Sequence, residues 1–249
     1  VLDRQDQFLK LQLKDHVEYV KNGNMTSKDS YVSPLIMENK TVTKKILQQH
    51  GFRVPTGEEF NDIEHALNSY NMFSAKPFVV KPKTTNYGLG ISIFKQEANY
   101  EDYQKAITLA FKEDSSVLIE EFLYGTEYRF FVLHDKVQAV LLRVPANVKG
   151  DGEHTIEELV IEKNRDPLRG KDHRTPLETI QLGDLENLML KGQGYQMNSI
   201  PKNGEIVYLR ENSNVSTGGD SIDVTDQIPD DYKKIAVDAV SALGAKISG

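Results

Sequence analysis

One stretch of the sequence decides the fold: Val79-Val80-Lys81-Pro82-Lys83-Thr84-Thr85-Asn86-Tyr87-Gly88-Leu89-Gly90-Ile91. It begins as a short apolar strand that ends in a lysine, and it continues through a polar loop with two glycines into another apolar run. Glycines let backbone N–H groups approach a ligand closely, and such groups together with a lysine form an anion site suited to phosphate. The stretch lacks the Gly-Lys-Ser/Thr and Gly-x-Gly-x-x-Gly patterns of other nucleotide-binding loops. From these residues alone, an ordinary hairpin turn with a surface lysine is the alternative.

A second informative stretch runs from Leu118 to Arg129 and reads Leu-Ile-Glu-Glu-Phe-Leu-Tyr-Gly-Thr-Glu-Tyr-Arg. An apolar strand is followed by two acids, a glycine turn, and then an acid and an arginine that begin another strand. A purine needs backbone donors and acceptors between apolar walls, and a ribose needs a carboxylate for its hydroxyls. A hinge between two strands supplies both, although a solvated turn is the alternative for a pair of glutamates.

The apolar periodicity around these stretches predicts helices and strands that alternate along the chain, with one antiparallel hairpin. The predicted helices cover residues 3–20, 39–50, 99–112 and 229–243, with further helices opened by capping pairs at Asn61/Glu64 and Thr155/Glu158. The predicted strands cover residues 78–81, 91–94, 117–120, 127–133, 137–144 and 205–210. A polar stretch up to Ser33-Pro34 is interpreted as a linker. This arrangement predicts an α+β class, not a run of parallel βαβ units.

Composition excludes several functional classes. The chain has 249 residues, 30 Lys+Arg and 37 Asp+Glu, which gives a net charge of −7. We therefore expect no nucleic-acid partner, because phosphate backbones need clustered positive charge. No apolar run approaches the roughly 20 residues that span a membrane. The chain has no cysteine and a polar N-terminus, so we expect no membrane partner and a cytoplasmic location.

In this order, the two stretches resemble the ATP-grasp superfamily. The resemblance extends upstream to Asn39-Lys40-Thr41-Val42-Thr43-Lys44 and to Gly51-Phe52-Arg53-Val54-Pro55. It implies an α+β ATP-grasp fold with mixed and antiparallel sheets flanked by helices. The ATP-binding residues that it implies are Lys40 and Lys81 for the phosphates, Gly88 and Gly90 for the loop that closes over them, Glu120, Glu121 and Leu123 for the adenine hinge, and Glu127 for the ribose.

Three later segments resemble one branch of that superfamily, which contains cyanophycin synthetase and the glutathione synthetase module of bifunctional enzymes. They are residues 143–152, 164–170 and 209–219, and residues 6–29 resemble the segment that joins the two domains of such a fusion. The resemblance implies a ligase that uses ATP, γ-glutamylcysteine and glycine. It also implies an N-terminal ligase domain in the same polypeptide, and it is compatible with a homo-oligomer. A cyanophycin-type amide ligase and a catalytically silent nucleotide-binding module are the alternatives.

Ligases of this superfamily phosphorylate a carboxylate, and an amine then attacks the acyl phosphate. The charge that builds up on the transferring oxygens needs positive groups aimed at it. Arg129, Arg143 and Arg210 lie near the ends of predicted strands, and we take them as catalytic candidates, with surface ion pairs as the alternative. A polar, glycine-rich loop with Asn214, Ser216, Thr217 and Gly218 is the candidate for binding substrate, either peptide or phosphate.

ATP-grasp enzymes hold Mg²⁺ (or Mn²⁺) with an Asp and a later Glu-x-Asn motif that usually ends in Pro-Gly. Glu211-Asn212-Ser213-Asn214 imitates that motif, but Thr217 stands where the proline belongs, and the six histidines show no metal-ligand spacing. We therefore expect the metal ligands beyond Gly249. The chain also begins without Met, so we expect it to be part of a longer protein and to catalyse poorly by itself.

The resemblance also implies a division of the chain. Residues 1–37 are predicted to be an interdomain helix and linker, and residues 38–75 the N-terminal helical part of the ATP-grasp module. Residues 76–125 are predicted to form the small α+β subdomain, and residues 126–249 an incomplete C-terminal subdomain.

Overall fold

The computed structural model describes residues 1–23, 25–84, 90–172 and 174–249. Its strands are β1 (Phe8–Leu13), β2 (His16–Lys21), β3 (Gly57–Phe60), β4 (Phe78–Pro82), β5 (Ser92–Phe94), β6 (Val117–Glu121), β7 (Tyr128–Leu133), β8 (Lys136–Val144), β9 (Asn147–Lys149), β10 (Arg169–Gly170), β11 (Leu177–Glu178), β12 (Ile206–Tyr208), β13 (Asp220–Asp223) and β14 (Ile247–Ser248). Its helices are α1 (Val32–Glu38), α2 (Lys40–Gln49), α3 (Ile63–Asn68), α4 (Tyr70–Phe73), α5 (Tyr100–Glu113), α6 (Ile156–Lys163), α7 (Asp184–Gly192) and α8 (Asp230–Ala242), with a short 3₁₀ helix at Val215–Thr217. The predicted α+β class is confirmed.

The chain divides into two compact units. The first contains residues 1–124, 129–140 and 224–249, and the second contains residues 125–128 and 141–223. These limits differ from the predicted subdomains, because β3 pairs with β6 in one sheet and thus joins residues 38–75 to residues 76–125. Residues 224–249 likewise belong to the first unit.

The main sheet of the first unit has the strand order β3-β6-β4-β5, and all its pairings are antiparallel. Helices α3, α4 and α5 cover one face. The fully buried side chains there include Phe78, Val80, Tyr103, Ile107, Val117 and Ile119. Each such side chain contributes about 1.5–3 kcal/mol when it leaves water. Since strand residues alternate between faces, the residues between these core positions lie on the opposite face.

Side chains cap the starts of several helices. The Asn39 side chain accepts a hydrogen bond from the Val42 N–H at the start of α2, and Gly51 follows the end of that helix with a φ of +82°. Asn99 caps α5 in the same way. The helix predicted to open at Asn61 instead begins at Ile63, with Asp62 as its cap.

The helix predicted over residues 3–20 is wrong. β1 and β2 form an antiparallel hairpin there, in which Leu9 pairs with Val20 and Leu13 with His16. Leu9, Leu11 and Leu13 repeat every second residue, which is the period of a strand and not of a helix. Lys14 adopts a φ of +53° in the turn.

The end of the stretch predicted as a linker up to Ser33-Pro34 packs against the first unit. α1 begins at Val32, and Ser33 is buried with its hydroxyl donating to the Gly244 carbonyl at 2.8 Å. The Lys246 N–H donates to the Asp29 carboxylate at 2.6 Å. These contacts attach the segment to the C-terminal end of the same unit.

The predicted hairpin around His134-Asp135-Lys136 is confirmed by β7 and β8, and His134 takes the left-handed conformation with a φ of +57°. Within the first unit, β14 extends this hairpin by pairing with β7. The chain of β8 continues into the second unit, where residues 141–144 pair with β13.

In the second unit, β9 pairs with β12, and the core lies where α6 packs against β9 and α7 packs against β12. Its buried side chains are Ala146, Val148, Ile156, Val160, Ile180, Leu190, Val207 and Leu209. The predicted capping box of Thr155 and Glu158 opens α6.

Across the residues that the structure describes, no helix has the length and apolarity to cross a membrane.

Candidate functional site

The open face of the main sheet carries an ion pair between β4 and β6. Lys81 lies opposite Leu118 in the register and Glu120 lies opposite Val79, so Lys81 and Glu120 are diagonal neighbours on the same face. Their side chains form a salt bridge. Glu120 is only 1% exposed, whereas the Lys81 side chain is 23% exposed. The carboxylate is thus buried, and the ammonium group reaches the surface.

Lys44, on α2, forms a second salt bridge with the same carboxylate. Its ammonium group also donates to the Pro55 carbonyl at 3.2 Å. Gly57 lies opposite Glu120 on β3, where a Cβ atom would approach to 2.6 Å from the Glu120 Cα and 2.8 Å from its Cγ. The glycine therefore leaves the space in which Glu120 meets its two lysines.

Lys40 is the first residue of α2, and its ammonium group donates to the Pro82 carbonyl at 3.3 Å. Burial lowers the pKa of Lys40, and the positive charge of Lys81 lowers it further. The first turn of α2 contains no acidic residue. A lysine at this position is unfavourable beside the positive end of the helix dipole, and an anion bound there would offset its charge.

A further lysine stands at the edge of this group. Lys83 forms a salt bridge with Glu59 at 2.6 Å, and the Thr41 hydroxyl donates to the other oxygen of Glu59 at 2.6 Å. Burial raises the pKa of Glu59, but the hydrogen bonds from Lys83 and Thr41 outweigh it, and the net shift is downward. Glu59 therefore stays ionised and holds Lys83 and α2 beside the sheet.

We call these residues the lysine cluster: Lys40, Lys44, Lys81, Lys83, Glu59 and Glu120. Four lysines and two glutamates form this cluster, and the Asp114 carboxylate also acts on Lys40. The lysines therefore outnumber the acids, in a chain whose net charge is −7. Such an excess at the N-terminus of a helix suits phosphate oxygens. Lys40, Lys81 and Glu120 were predicted from the sequence and lie together. Lys44 was missed, although its spacing of four residues from Lys40 places both on one helix face.

Glu121 faces away from this cluster, because adjacent strand residues point to opposite faces. Its carboxylate accepts the Thr56 N–H at 3.0 Å, and this hydrogen bond lowers the pKa of Glu121. Its own N–H donates to the Thr56 carbonyl at 2.8 Å. Leu123 is 44% exposed beyond the strand end. Glu120 and Glu121, which were both predicted to form the adenine hinge, therefore point to opposite faces of the sheet.

The glycine loop is only partly described. Gly90 has a φ of +66°, and a Cβ atom there would lie 2.9 Å from the side chains of Pro82 and Glu113. This packing explains why glycine is needed at the position, and the role of Gly90 in covering the phosphates stays a prediction. Gly88 lies outside the described residues.

In the second unit, Glu127 lies beside the polar loop predicted to bind substrate. The Ser213 hydroxyl donates to the Glu127 carboxylate, and the Arg143 N–H donates to the Glu127 carbonyl at 2.9 Å. The Arg143 side chain is buried and donates through Nε to the Ser213 carbonyl at 3.3 Å. The structure thus brings together Glu127, Arg143 and the entry of the loop.

The loop itself, residues 212–219, is closely packed. Thr217 donates through its hydroxyl to the Asn212 side chain at 2.8 Å and to the Asn214 carbonyl at 2.9 Å. Gly218 has a φ of +89°, and a Cβ atom there would lie 2.8 Å from the Ile180 Cα. Among the described residues, the half-buried side chains of Asn214 and Ser216 have no hydrogen-bond partner. These two groups are therefore available to a ligand.

The other two candidate arginines lie elsewhere. Arg129, in the first unit, donates from Nη2 to the Gly249 carbonyl at 2.9 Å. Arg210, in the second unit, donates from Nε to the buried carboxylate of Glu186 at 2.5 Å, and Glu186 also accepts the Gly183 N–H at 2.9 Å. Arg210 thus makes a structural ion pair at the start of α7.

Sequence reasoning missed a second charged group, at the end of the polar loop. Asp220 accepts hydrogen bonds from Lys163 at 2.7 Å, from Asn147 at 2.9 Å and from Arg169. These partners come from α6, β9 and β10. Their separation along the chain left no motif that could have revealed them.

No ready-made metal site is present among the described residues. Across the described ranges, no group of three or more His, Asp or Glu side chains is arranged to hold a metal ion. Mg²⁺ prefers several oxygen ligands in octahedral geometry. The placement of the metal ligands beyond Gly249 stays a prediction.

Two family descriptions match the chain. Residues 1–32 match an ATP-grasp-like domain. Residues 38–155 match the phosphoribosylglycinamide synthetase ATP-grasp (A) domain, and this range contains the whole lysine cluster.

Relatives match over the full chain. The chain is 67% identical to the glutathione biosynthesis bifunctional protein of Enterococcus faecalis and 59% identical to that of Streptococcus mutans. Each match covers 100% of this chain and 33% of the relative. A crystal structure of a bifunctional glutathione synthetase from Pasteurella multocida matches 99% of this chain and 33% of that one, with 58% identity and a TM-score of 0.66. The chain thus spans about a third of the length of the proteins it matches.

Proposed function

We propose that this chain is an ATP-grasp domain and forms part of the glutathione synthetase module of a bifunctional glutathione biosynthesis enzyme. The reaction joins γ-glutamylcysteine to glycine at the expense of ATP. The γ-phosphoryl group passes to the substrate carboxylate as the bond to the β-phosphate breaks and ADP leaves. The glycine amine then attacks the acyl carbon, phosphate leaves, and the amine loses a proton.

The lysine cluster is the observation that carries this proposal. It presents an excess of positive charge on the open face of the sheet, at the N-terminus of α2, and its lysines are held by two glutamates. Lys40 and Lys81 contact the nucleotide phosphates in this proposal, and Lys44 keeps Glu120 neutralised when Lys81 turns to a phosphate. A cluster that is positive before the ligand arrives stabilises charge without reorganising during the reaction.

The remaining ATP contacts follow the family resemblance. Glu121 and Leu123 supply the strand end beside the adenine, Glu127 accepts from the ribose hydroxyls, and the loop with Gly88 and Gly90 covers the phosphates. Arg129, Arg143 and Arg210 stay candidates for stabilising the transferred phosphoryl group. Of these, Arg143 is supported best, because it contacts the same loop as Glu127.

The amino-acid and peptide substrates are assigned to the polar loop of the second unit. Asn214 and Ser216 offer an amide and a hydroxyl, which suit a peptide bond or a carboxylate. Thr217 and Gly218 shape the loop. We include in this proposal an N-terminal ligase domain in the same polypeptide, a cytoplasmic location, and Mg²⁺ or Mn²⁺ bound by residues outside the described set. When bound, the ion neutralises charge on the ATP phosphates.

The experiment that tests the proposal uses the protein extended to the full length of its relatives. ADP release is measured with Mg-ATP, γ-glutamylcysteine and glycine, and each substrate is omitted in turn. Turnover that requires both γ-glutamylcysteine and glycine is the expected result. ATP binding with turnover only on cyanophycin-type substrates would redirect the assignment within the family. ATP binding without any turnover would make the chain a silent nucleotide-binding module.

A further inference from the structure

A buried charged group lies beneath the exit of the polar loop in the second unit. The Arg169 side chain is 1% exposed, and it pairs through Nη2 with Asp220. The same guanidinium donates through Nη1 to the Gly218 carbonyl at 3.0 Å and to the Glu178 carbonyl at 2.8 Å. It therefore contacts the chain on both sides of Gly219, where the loop ends and β13 begins.

Asp220 is held from two further directions. The Lys163 ammonium group donates to Asp220 at 2.7 Å and to the Asn147 carbonyl at 2.9 Å, and the Asn147 amide donates to Asp220 at 2.9 Å. A buried ion pair contributes little to stability compared with apolar residues of similar size, because removing the charges from water costs as much as their attraction returns. Its value lies in fixing geometry, since an arginine with two bonded nitrogens permits few orientations.

The entry of the loop is held by another arginine. Arg143 donates to the Ser213 carbonyl, and the Ser213 hydroxyl donates to Glu127. Between these two attachments, Asn214 and Ser216 are the polar side chains without partners among the described residues. The loop is thus fixed at both ends and presents its available groups in the middle.

We propose that Arg169 and Asp220 are positioning residues, which hold the loop 212–219 so that Asn214 and Ser216 meet the amino-acid or peptide substrate. This inference rests on the proposed function. It predicts a larger effect on the amino-acid or peptide substrate than on ATP, because Arg169 holds the Gly218 end of the loop, whereas Glu127 is bonded to Ser213 at the other end. Displacement of a recognition group by about 1 Å costs up to 10²-fold in rate or affinity.

The test compares two arginine variants in the full-length protein. Arg169→Met removes the bonds to Asp220 and Gly218, whereas Arg165→Met removes an arginine whose side chain is 71% exposed and pairs only with Glu162 among the described residues. We expect Arg169→Met to raise the KM for γ-glutamylcysteine or glycine about tenfold or more. The KM for ATP stays within about twofold, and Arg165→Met changes none of the three constants.

Arg169→Lys serves as the conservative variant. Lysine keeps a charge for Asp220 but cannot also reach the Gly218 carbonyl in the same geometry. We expect an intermediate rise in the same KM, with kcat less affected. An unchanged KM for both substrates in a folded variant, or an equal rise in the KM for ATP, overturns the proposal.

A second measurement does not depend on catalysis. Amide hydrogen exchange in Arg169→Lys should become faster in residues 212–219, while β9 and β12 keep the exchange rates of the parent. If exchange in the loop is unchanged, the pair does not position it. If the parent protein instead fails to release ADP with both substrates, the proposed function fails, while exchange still decides whether Arg169 and Asp220 position the loop.

Discussion

Lys81 on β4 and Glu120 on β6 are diagonal neighbours across an antiparallel pair of strands, and they form a salt bridge on the face opposite α3, α4 and α5. Glu120 simultaneously pairs with Lys44 of α2. One buried carboxylate therefore determines where two lysines stand. The arrangement leaves the lysines partly exposed, and it prepares a positive surface for phosphate.

Lys81→Ala should weaken ATP binding about 10- to 100-fold, because a hydrogen bond to a charged group is worth about 1.5–3 kcal/mol. Isothermal titration calorimetry of the full-length protein measures this change. Lys105→Ala is the matched control, since the Lys105 side chain is 67% exposed and pairs with Glu101 and Asp102 on α5. If Lys81→Ala binds ATP as tightly as the parent, the nucleotide does not lie on this face of the sheet.

Glu120→Gln should destabilise the first unit. The glutamine amide keeps one acceptor but turns N–H donors toward ammonium groups, so Lys44 and Lys81 lose their counter-charge. A cost of about 1–3 kcal/mol lowers the Tm by a few degrees. Thermal denaturation followed by circular dichroism measures it. Glu101→Gln is the control, because its side chain is 78% exposed, and it should leave the Tm unchanged. If Glu120→Gln has the same Tm as the parent, the salt bridges of Glu120 with Lys44 and Lys81 do not stabilise the first unit.

ATP affinity should fall as the pH rises toward the ordinary lysine pKa of 10.5. Burial and the charge of Lys81 lower the pKa of Lys40, so Lys40 loses its proton at a lower pH than an exposed lysine does. Only the protonated amine attracts phosphate, and the affinity therefore decreases through the alkaline range below 10.5.

Titrations with ATP at increasing pH check this prediction, with circular dichroism to confirm that the protein stays folded. Lys40→Arg should keep its affinity to higher pH, because arginine remains charged. The same decline in Lys40→Arg as in the parent would assign the pH dependence to another group.

Gly57→Ala should weaken both stability and ATP binding. The added methyl group would lie 2.6 Å from the Glu120 Cα and 2.8 Å from its Cγ, so β3 or Glu120 must move. Overpacking of this kind costs about 1–3 kcal/mol. Gly192→Ala is the control, because a Cβ atom there meets nothing within 4 Å. Equal Tm values for the two variants would show that the space beside Glu120 is not required.

Local sequence signals predicted the elements that carry the lysines. Asn39 and Gly51 mark the ends of α2, and the apolar runs at β4 and β6 appear where expected. The N-terminal hairpin was mistaken for a helix, although Leu9, Leu11 and Leu13 alternate with Lys10 and Gln12 in the period of a strand. β3 was missed, since Gly-Glu-Glu-Phe has almost no apolar pattern, and its place is set by pairing with β6.

By itself, the sequence determined which residues could meet phosphate: a lysine at the end of a buried strand, another at the start of a capped helix, and a glycine loop between strands. These signals depend on neighbours along the chain. Only the tertiary structure decided that Lys44 and Glu120, 76 positions apart, share a salt bridge, and that Arg169 and Asp220, 51 positions apart, hold the polar loop. Charge pairing across such separations follows from how strands and helices pack, and no local pattern records it.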